Sequence, residues 1–372
     1  MTASTFGGTS GTVGVQNLDL ISLITIAIRR CGLLPGGLNP EDLQTAQQAA
    51  FLCLSSLVNQ GIPLWTIEKI VLGLNINQYL LQLPPATIDV RSVLYRYNVL
   101  PTGGTPYSSA GGVAANAFDG IGTNACIQTS PNGYIEYNFG SATQVSTVGF
   151  LNNATGTLSP VWEWSNDNAT WTQMAAGSNA GGQVGTTGNQ TYTAGQWYWQ
   201  DIAQPPSAEY YRIRETSGGT LNVLQVVFGQ PAREVTISRS NGDDYQNLPY
   251  KQAVGGSGRP LQYWVDRQIQ PQLWMWPQSG YLFNSIVIWG RRMIQDVGSL
   301  SNNIEFPTRW LDAIVGDLAS RLSYELQGVN PARIPLLEAK AAKALQIAMM
   351  EERDDSPVYY APQIGCYTRG GR

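Results

Sequence analysis

The sequence predicts an α+β fold in which two helix-patterned ends fold together and are interrupted by an all-β sandwich. Three observations carry this expectation. First, the 372-residue chain has no lysine or arginine between Arg96 and Arg212. Residues 98–229 hold seven acids and two arginines, net −5, which leaves 20 bases and 19 acids, net +1, in the remainder of a total of −4. Second, that stretch is a succession of short aromatic and β-branched runs parted by Gly, Asn and Pro, the pattern of many short strands. Third, the flanking segments carry apolar residues at helical spacing. The expected organisation is a first outer segment (1–97), an insert (98–229), a second outer segment (230–353) and an extended tail (354–372).

The elements follow in order. After a Thr/Gly/Ser-rich leader, Leu18–Cys31 reads as a helix with Leu20, Ile21, Ile24 and Ile28 as its stripe. Arg29 and Arg30 suit its C-terminal dipole, and Gly32 can close it. A second helix starts at Asn39 as N-cap, with Pro40 at its first position and Glu41 and Asp42 in its first turn. It runs to about Gly61. Gln78–Leu83 and Ile88–Tyr97 are the next strand candidates. In the insert the strands are Tyr134–Phe139, Val145–Leu151, Val161–Ser165, Trp197–Ile202, Tyr210–Glu215 and Leu221–Phe228, with a long small-residue loop over 177–194. Outer strands resume at Glu234–Arg239, Leu261–Asp266, Gln272–Trp276 and Phe283–Gly290. Pro307 and Pro331 each open a closing helix, and Gly328 separates the two.

Composition excludes much chemistry. Charged residues are 13% of the chain, about half the usual ~25%, which suits β-structure or surfaces covered by partner subunits. The near-balanced outer charge argues against avid nucleic-acid binding. The chain has no histidine, so His-based acid–base work, triads and metal ligation are excluded. Cys31, Cys53, Cys126 and Cys366 show no metal or redox spacing, and Cys31 and Cys53 read as buried thiols in helices. Asp243-Asp244 and Glu351-Glu352 with Asp354-Asp355 read as solvated turn and terminus charges rather than a catalytic pair. Without an export signal or a bilayer-length apolar run, the expectation is a soluble, non-enzymatic protein with neither cofactor nor metal, folded in a reducing compartment and not bound to membrane.

The outer segments contain Ala27-Ile28-Arg29-Arg30-Cys31-Gly32, Pro35-Gly36-Gly37-Leu38-Asn39-Pro40-Glu41-Asp42, Leu64-Trp65 and Asp244-Tyr245. Further on come Gly258-Arg259-Pro260-Leu261-Gln262-Tyr263-Trp264, Leu273-Trp274-Met275-Trp276-Pro277 and Phe306-Pro307-Thr308-Arg309-Trp310. In this order they resemble the head-to-tail adaptor family of short-tailed bacteriophages, over roughly residues 15–97 and 231–352. The resemblance implies a virion protein of the tail or neck. It implies a helical-bundle adaptor domain with a small β part, assembled as a dodecameric ring beneath the portal protein. A downstream tail nozzle or fibre protein would lie on the other side, and duplex DNA would pass through the channel unbound. In that setting the tail residues Ser356, Pro357, Val358, Tyr359 and Tyr360 are the expected portal grip.

The insert contains Ala117-Phe118-Asp119-Gly120, Tyr134-Ile135-Glu136-Tyr137-Asn138-Phe139-Gly140, Ser165-Asn166-Asp167-Asn168-Ala169-Thr170-Trp171 and Tyr210-Tyr211-Arg212-Ile213-Arg214. These resemble a discoidin-like domain, a jelly-roll sandwich, over roughly residues 106–229. Cys126-Ile127 stands where that family often has Trp. Many such domains bind glycans at one end, which implies a glycan or partner site here. The candidate rings are Trp162, Trp164, Trp197, Tyr198 and Trp199, about half of them expected in the core. Alternation puts Trp197 and Trp199 on one face and Tyr198 on the other. Asp119 could help hold calcium but reads better as a turn cap. The leading expectation is a structural connector whose sandwich binds a glycan or another virion protein. The alternatives are a free lectin-like protein, or a polysaccharide-degrading enzyme for which no carboxylate pair can be placed.

Overall fold

A computed structural model describes residues 18–37, 39–59, 64–99, 103–174, 190–249, 251, 258–294, 301 and 305–352. The helices are α1 (Leu20–Cys31), α2 (Pro40–Asn59), α3 (Gly242–Gln246), α4 (Leu311–Glu325) and α5 (Ile334–Glu351). The chain divides into two compact units, Met1–Trp65 with Ile294–Arg372, and Thr66–Met293.

The first unit is helical and brings the first two and the last two long helices together, with α4 packed on α1, α2 and α5. Helix α1 is capped by Asp19, whose carboxylate accepts the Ser22 amide at 3.1 Å. It stops at Gly32, where a φ of 89° calls for glycine. Leu20, Leu23, Ile24, Ala27, Ile28 and Cys31 bury one face. At the start of α2 the Asp42 carboxylate accepts the Asn39 amide. Both closing helices begin with a 3₁₀ turn, at Thr308–Trp310 and Pro331–Arg333. Gly316 on α4 lets α5 approach closely, since a Cβ there would lie 3.2 Å from Cα of Ala341. Cys31 and Cys53 are buried, as expected, and burial pushes both thiols up from their ordinary range.

Glu352 corrects an expectation. It is not a solvated helix-end charge: its side chain is 1% exposed and accepts hydrogen bonds from Arg309 and the Trp310 indole. These donors lie 43 and 42 residues away, so no local pattern announces them. They pin the end of α5 to the start of α4.

The second unit is almost all β. Its strands are β1 (Ile67–Gly73), β2 (Leu80–Gln82), β3 (Thr87–Val99), β4 (Thr105–Ser108), β5 (Cys126–Ile127) and β6 (Tyr134–Gln144). Then come β7 (Thr147–Asn152), β8 (Gly156–Leu158), β9 (Pro160–Ser165), β10 (Thr172–Gln173), β11 (Gln190–Tyr192) and β12 (Trp197–Asp201). The last are β13 (Ser207–Glu215), β14 (Asn222–Arg239), β15 (Gln262–Asp266), β16 (Gln272–Trp276) and β17 (Ser285–Arg292).

Two sheets face each other as a sandwich, β10-β9-β13-β6-β4 against β12-β7-β14-β5. Between them lie Ile135, Phe150, Trp162, Tyr211, Ile213, Val226 and Phe228. The outer strands pair as β1-β17-β3-β14 and as β14-β15-β16-β2. They enclose a second core, with Ile70, Val93, Tyr95, Tyr263, Met275 and Ile288.

Strand β14 joins the two arrangements. The separate strands expected at Leu221–Phe228 and Glu234–Arg239 are one 18-residue strand. Its first half pairs with β7 and its second half with β3. The compact units meet at 65/66 and 293/294, while the ends of the expected insert, 98 and 229, fall near the end of β3 and inside β14.

A third apolar cluster adds to the junction. Val71 and Val287 from the outer strands, with Leu282 from the loop before β17, pack with Leu151, Trp197, Trp199 and Val227 from the sandwich. Beside it Arg96, 2% exposed, donates to Asp201 at 2.7 Å and to Glu234 at 2.7 Å, and Lys69 also pairs with Asp201. Burial pushes the Asp201 carboxyl up, but Arg96 and Lys69 outweigh this and hold it below the ordinary range.

Candidate binding site on the sandwich

The structure places the five candidate rings in or against cores. Trp162 is 3% exposed between the two sheets, and Trp164 packs on the same core partly buried. Trp199 is fully buried and Trp197 is 8% exposed, both at the junction cluster. Tyr198 turns the other way, onto Phe150 and Tyr192. The alternation of residues 197–199 holds, yet both faces of that sheet are covered, one by the opposing sheet and one by the outer strands. A ring without an exposed face offers no stacking surface, and Trp162, Trp197 and Trp199, three of the five candidate rings, are buried in packing.

Glycine makes the Trp199 seat possible. A Cβ at Gly73 would fall 1.9 Å from Nε1 of Trp199, and one at Gly149 would fall 2.8 Å from its Cδ2. Asp119 is a turn residue: it accepts from the Ile121 amide at 2.9 Å, from Asn124 at 2.7 Å and from Gln225. Burial pushes its carboxyl up, but these hydrogen bonds outweigh that and leave it below the ordinary range. No cluster of three His, Cys, Asp or Glu suited to a metal occurs among the described residues. Asp243 and Asp244 stand in the first turn of α3, which Asn241 caps. Ser356, Pro357, Val358, Tyr359 and Tyr360, like Asp354 and Asp355, lie outside the described residues.

What the structure brings together instead is on the outward face of the five-stranded sheet. Ile135, Tyr137, Tyr211, Ile213 and Trp162 point inward, so the alternate residues of β6, β13 and β9 point outward. Register sets Arg212 between Glu136 and Glu163. Arg212 and Arg214 both donate to Glu163, each at 2.6 Å. The Arg212 guanidinium lies 3.8 Å from the Trp171 ring centroid and 4.6 Å from that of Tyr134. Tyr107, on β4, stands 6.0 Å from Tyr134 and is 52% exposed.

The electrostatics match this layering. Glu136 is 4% exposed, and burial pushes its carboxyl above the ordinary range against the pull of Arg212 and Asn168. For Glu163 the effect of burial is outweighed by Arg214 and Arg212, which hold it below that range. The Asp167 carboxylate accepts the Ala169 and Thr170 amides and the Ser165 hydroxyl, so it fixes the loop that delivers Trp171. Two carboxylates and two guanidiniums make the cluster neutral, with a layer of rings over it. Rings held in place by a clamped cation lose little freedom on binding. They can stack on an apolar face while Arg214, 35% exposed, offers donors at the edge.

Sequence reasoning used these strands as motifs and passed over their outward residues. The signal was present: both arginines of residues 98–229 and two of its seven acids fall in this cluster.

No family model matches the chain, and no curated protein matches it. Solved structures similar to part of it include the family 32 CBM of Clostridium perfringens NanJ in complex with galactose. That likeness has 14% identity and a TM-score of 0.29, covering 36% of this chain and 99% of that one. Another is CBM32-1 of a family 31 glycoside hydrolase from Clostridium perfringens, at 16% identity and TM-score 0.29, covering 35% and 96%. A third is chitosan-binding module 1 of a chitosanase/glucanase from Paenibacillus sp. IK-5, at 21% identity and TM-score 0.26, covering 36% and 99%.

Proposed function

We propose that this chain is a non-enzymatic virion component, an adaptor ring that joins a portal protein to a tail nozzle or fibre protein. Duplex DNA would pass through the ring without specific binding. The sandwich is its interaction module, and residues 98–229 act as an insert carried by the outer strands.

The observation that carries this reading is the helical unit. It unites helices from the first and last parts of the sequence in one body and leaves apolar side chains open to solvent on α2 and α5. Phe51 is 46% exposed, Leu52 54%, Leu336 54%, Ile347 50% and Met350 56%. Such surface on a small helical body favours association with further chains. The order of the outer sequence motifs supports the adaptor assignment. Mass photometry of the purified chain, alone and with its portal protein, tests it: large closed assemblies are expected, and a monomer under both conditions refutes it.

A second reading, a carbohydrate-binding protein, is favoured by the outward cluster of Tyr107, Tyr134, Trp171 and Arg214. The two readings are compatible if the ring displays the sandwich. A neutral cluster with stacking rings suits a neutral glycan better than an anionic one. Glycan-array binding with the wild-type chain and a Trp171→Ala variant tests this. Binding to a neutral glycan should weaken about tenfold or more in the variant, equivalent to about 1.4 kcal/mol. Unchanged binding would refute the assignment.

A further inference from the structure

Along one side of α5 runs a groove of about 550 Å³, lined by Arg30, Asp312, Arg333, Leu336, Lys340, Lys343 and Ile347 together with Leu337 and two small residues. Its charges are unbalanced. Arg30 pairs with Asp312, and Arg333 donates to the carbonyl of Arg30 at the end of α1. Lys340 and Lys343 are exposed and form no ion pair among the described residues. Four cations thus face one carboxylate. The apolar part is equally open, because Leu336 and Ile347 are about half exposed.

A surface of complementary character lies on α2. That helix has no cation, and its two charges, Glu41 and Asp42, are acids in the first turn. Its solvent face continues through Gln44 and Gln48 to Phe51 and Leu52, which are 46% and 54% exposed. Glu41 and Leu52 are eleven positions apart, as are Leu336 and Ile347. Both stripes therefore run about 16 Å along a helix.

We propose that the α5 groove of one copy receives the solvent face of α2 from a second copy. With the two helices parallel and Glu41 beside Lys340, Gln48 would lie beside Ile347 and Phe51 beside Met350, which is 56% exposed one turn further along α5. The two surfaces differ from each other and lie on the same helical body. Each copy therefore donates one and offers the other, the head-to-tail arrangement that generates a ring when its rotation closes. The inference rests on the ring reading above and names the contact that would build the ring.

The experiment compares four full-length chains by mass photometry, with and without portal protein: wild type, Lys340→Glu/Lys343→Glu, Glu41→Lys/Gln44→Lys, and all four substitutions together. All four positions are surface positions, so circular dichroism should be unchanged. Each double variant should raise the concentration for half-assembly about tenfold or more, and the quadruple variant should restore assembly. A ring insensitive to the double variants, or one not restored by the quadruple, overturns the contact and leaves the ring reading intact. If wild type forms no ring, that reading fails, and a separate measurement decides the contact. Phe51→Cys and Met350→Cys chains are mixed under mild oxidation: a disulfide-linked heterodimer supports the pairing, and its absence overturns it. Capture of an acidic segment from another protein in place of the second copy also counts against it.

Discussion

Replacing Arg96 by methionine should cost the β unit about 3–5 kcal/mol, the range for removing one partner of a buried ion pair. The structure sets the reason. Arg96 is 2% exposed and holds Asp201 and Glu234 at 2.7 Å, with Asp201 on the sandwich side and Glu234 on the outer strands. Methionine fills similar volume but leaves Asp201 with Lys69 and one long hydrogen bond from the Thr147 hydroxyl. Urea unfolding of the full chain, followed by tryptophan fluorescence, is the assay, because Trp197 and Trp199 lie at the same junction. With a slope of about 2 kcal/mol per molar urea, the midpoint should fall by about 1.5–2.5 M.

The pH dependence gives a second, independent sign. The folded pKa of Asp201 is held below its unfolded value, which is about 3.9. Its contribution is therefore present above about pH 4 and is lost as pH falls through the folded value. The variant keeps the burial without the arginine, so it has less of this contribution to lose. The gap between wild type and variant should narrow as pH falls below about 4. A cost below about 1 kcal/mol, or a gap that does not change with pH, would refute the reasoning.

Two further outcomes are expected. Gly73→Ala should destabilise the β unit by about 1–3 kcal/mol, the cost of overpacking a filled site, because its Cβ would fall within 1.9 Å of Trp199. Calorimetry should show a lower Tm, and an unchanged Tm would mean that Trp199 is not seated against β1. Replacing residues 100–228 by a short linker should preserve the helical circular-dichroism signal, since the helices pack on one another within their own unit. The same deletion should bare Val71, Leu282 and Val287 and strand Arg96, so the remaining strands should unfold at lower urea than in the full chain.

The helices were legible because their punctuation is local: Pro40, the acids after it, Gly32 and Gly328 each act within one turn. Most sandwich strands were legible for the same reason. Strand β1 was missed, since Glu68 and Lys69 interrupt the apolar run of Ile67–Gly73. The seam strand was split in two at residues 229–231, where a domain edge was expected, whereas Gln230 and Pro231 pair with Val99 and Asn98 and the register shifts only between Pro231 and Arg233.

The site was the least legible part. Alternation says which residues of β12 share a face, but not that the face of Trp197 and Trp199 lies against the outer strands. The outward cluster needs the register of three strands to bring Glu136, Arg212 and Glu163 side by side. Those residues are separated by tens of positions in the chain, and no local rule sets them together.

The central claim is that copies of this chain assemble through their helical unit, and electron microscopy of the purified protein mixed with its portal tests it most directly. Closed rings seated on the portal, with the helical units of neighbouring copies in contact, are the expected result. Separate single copies, or rings whose only contacts run between sandwiches, would contradict it.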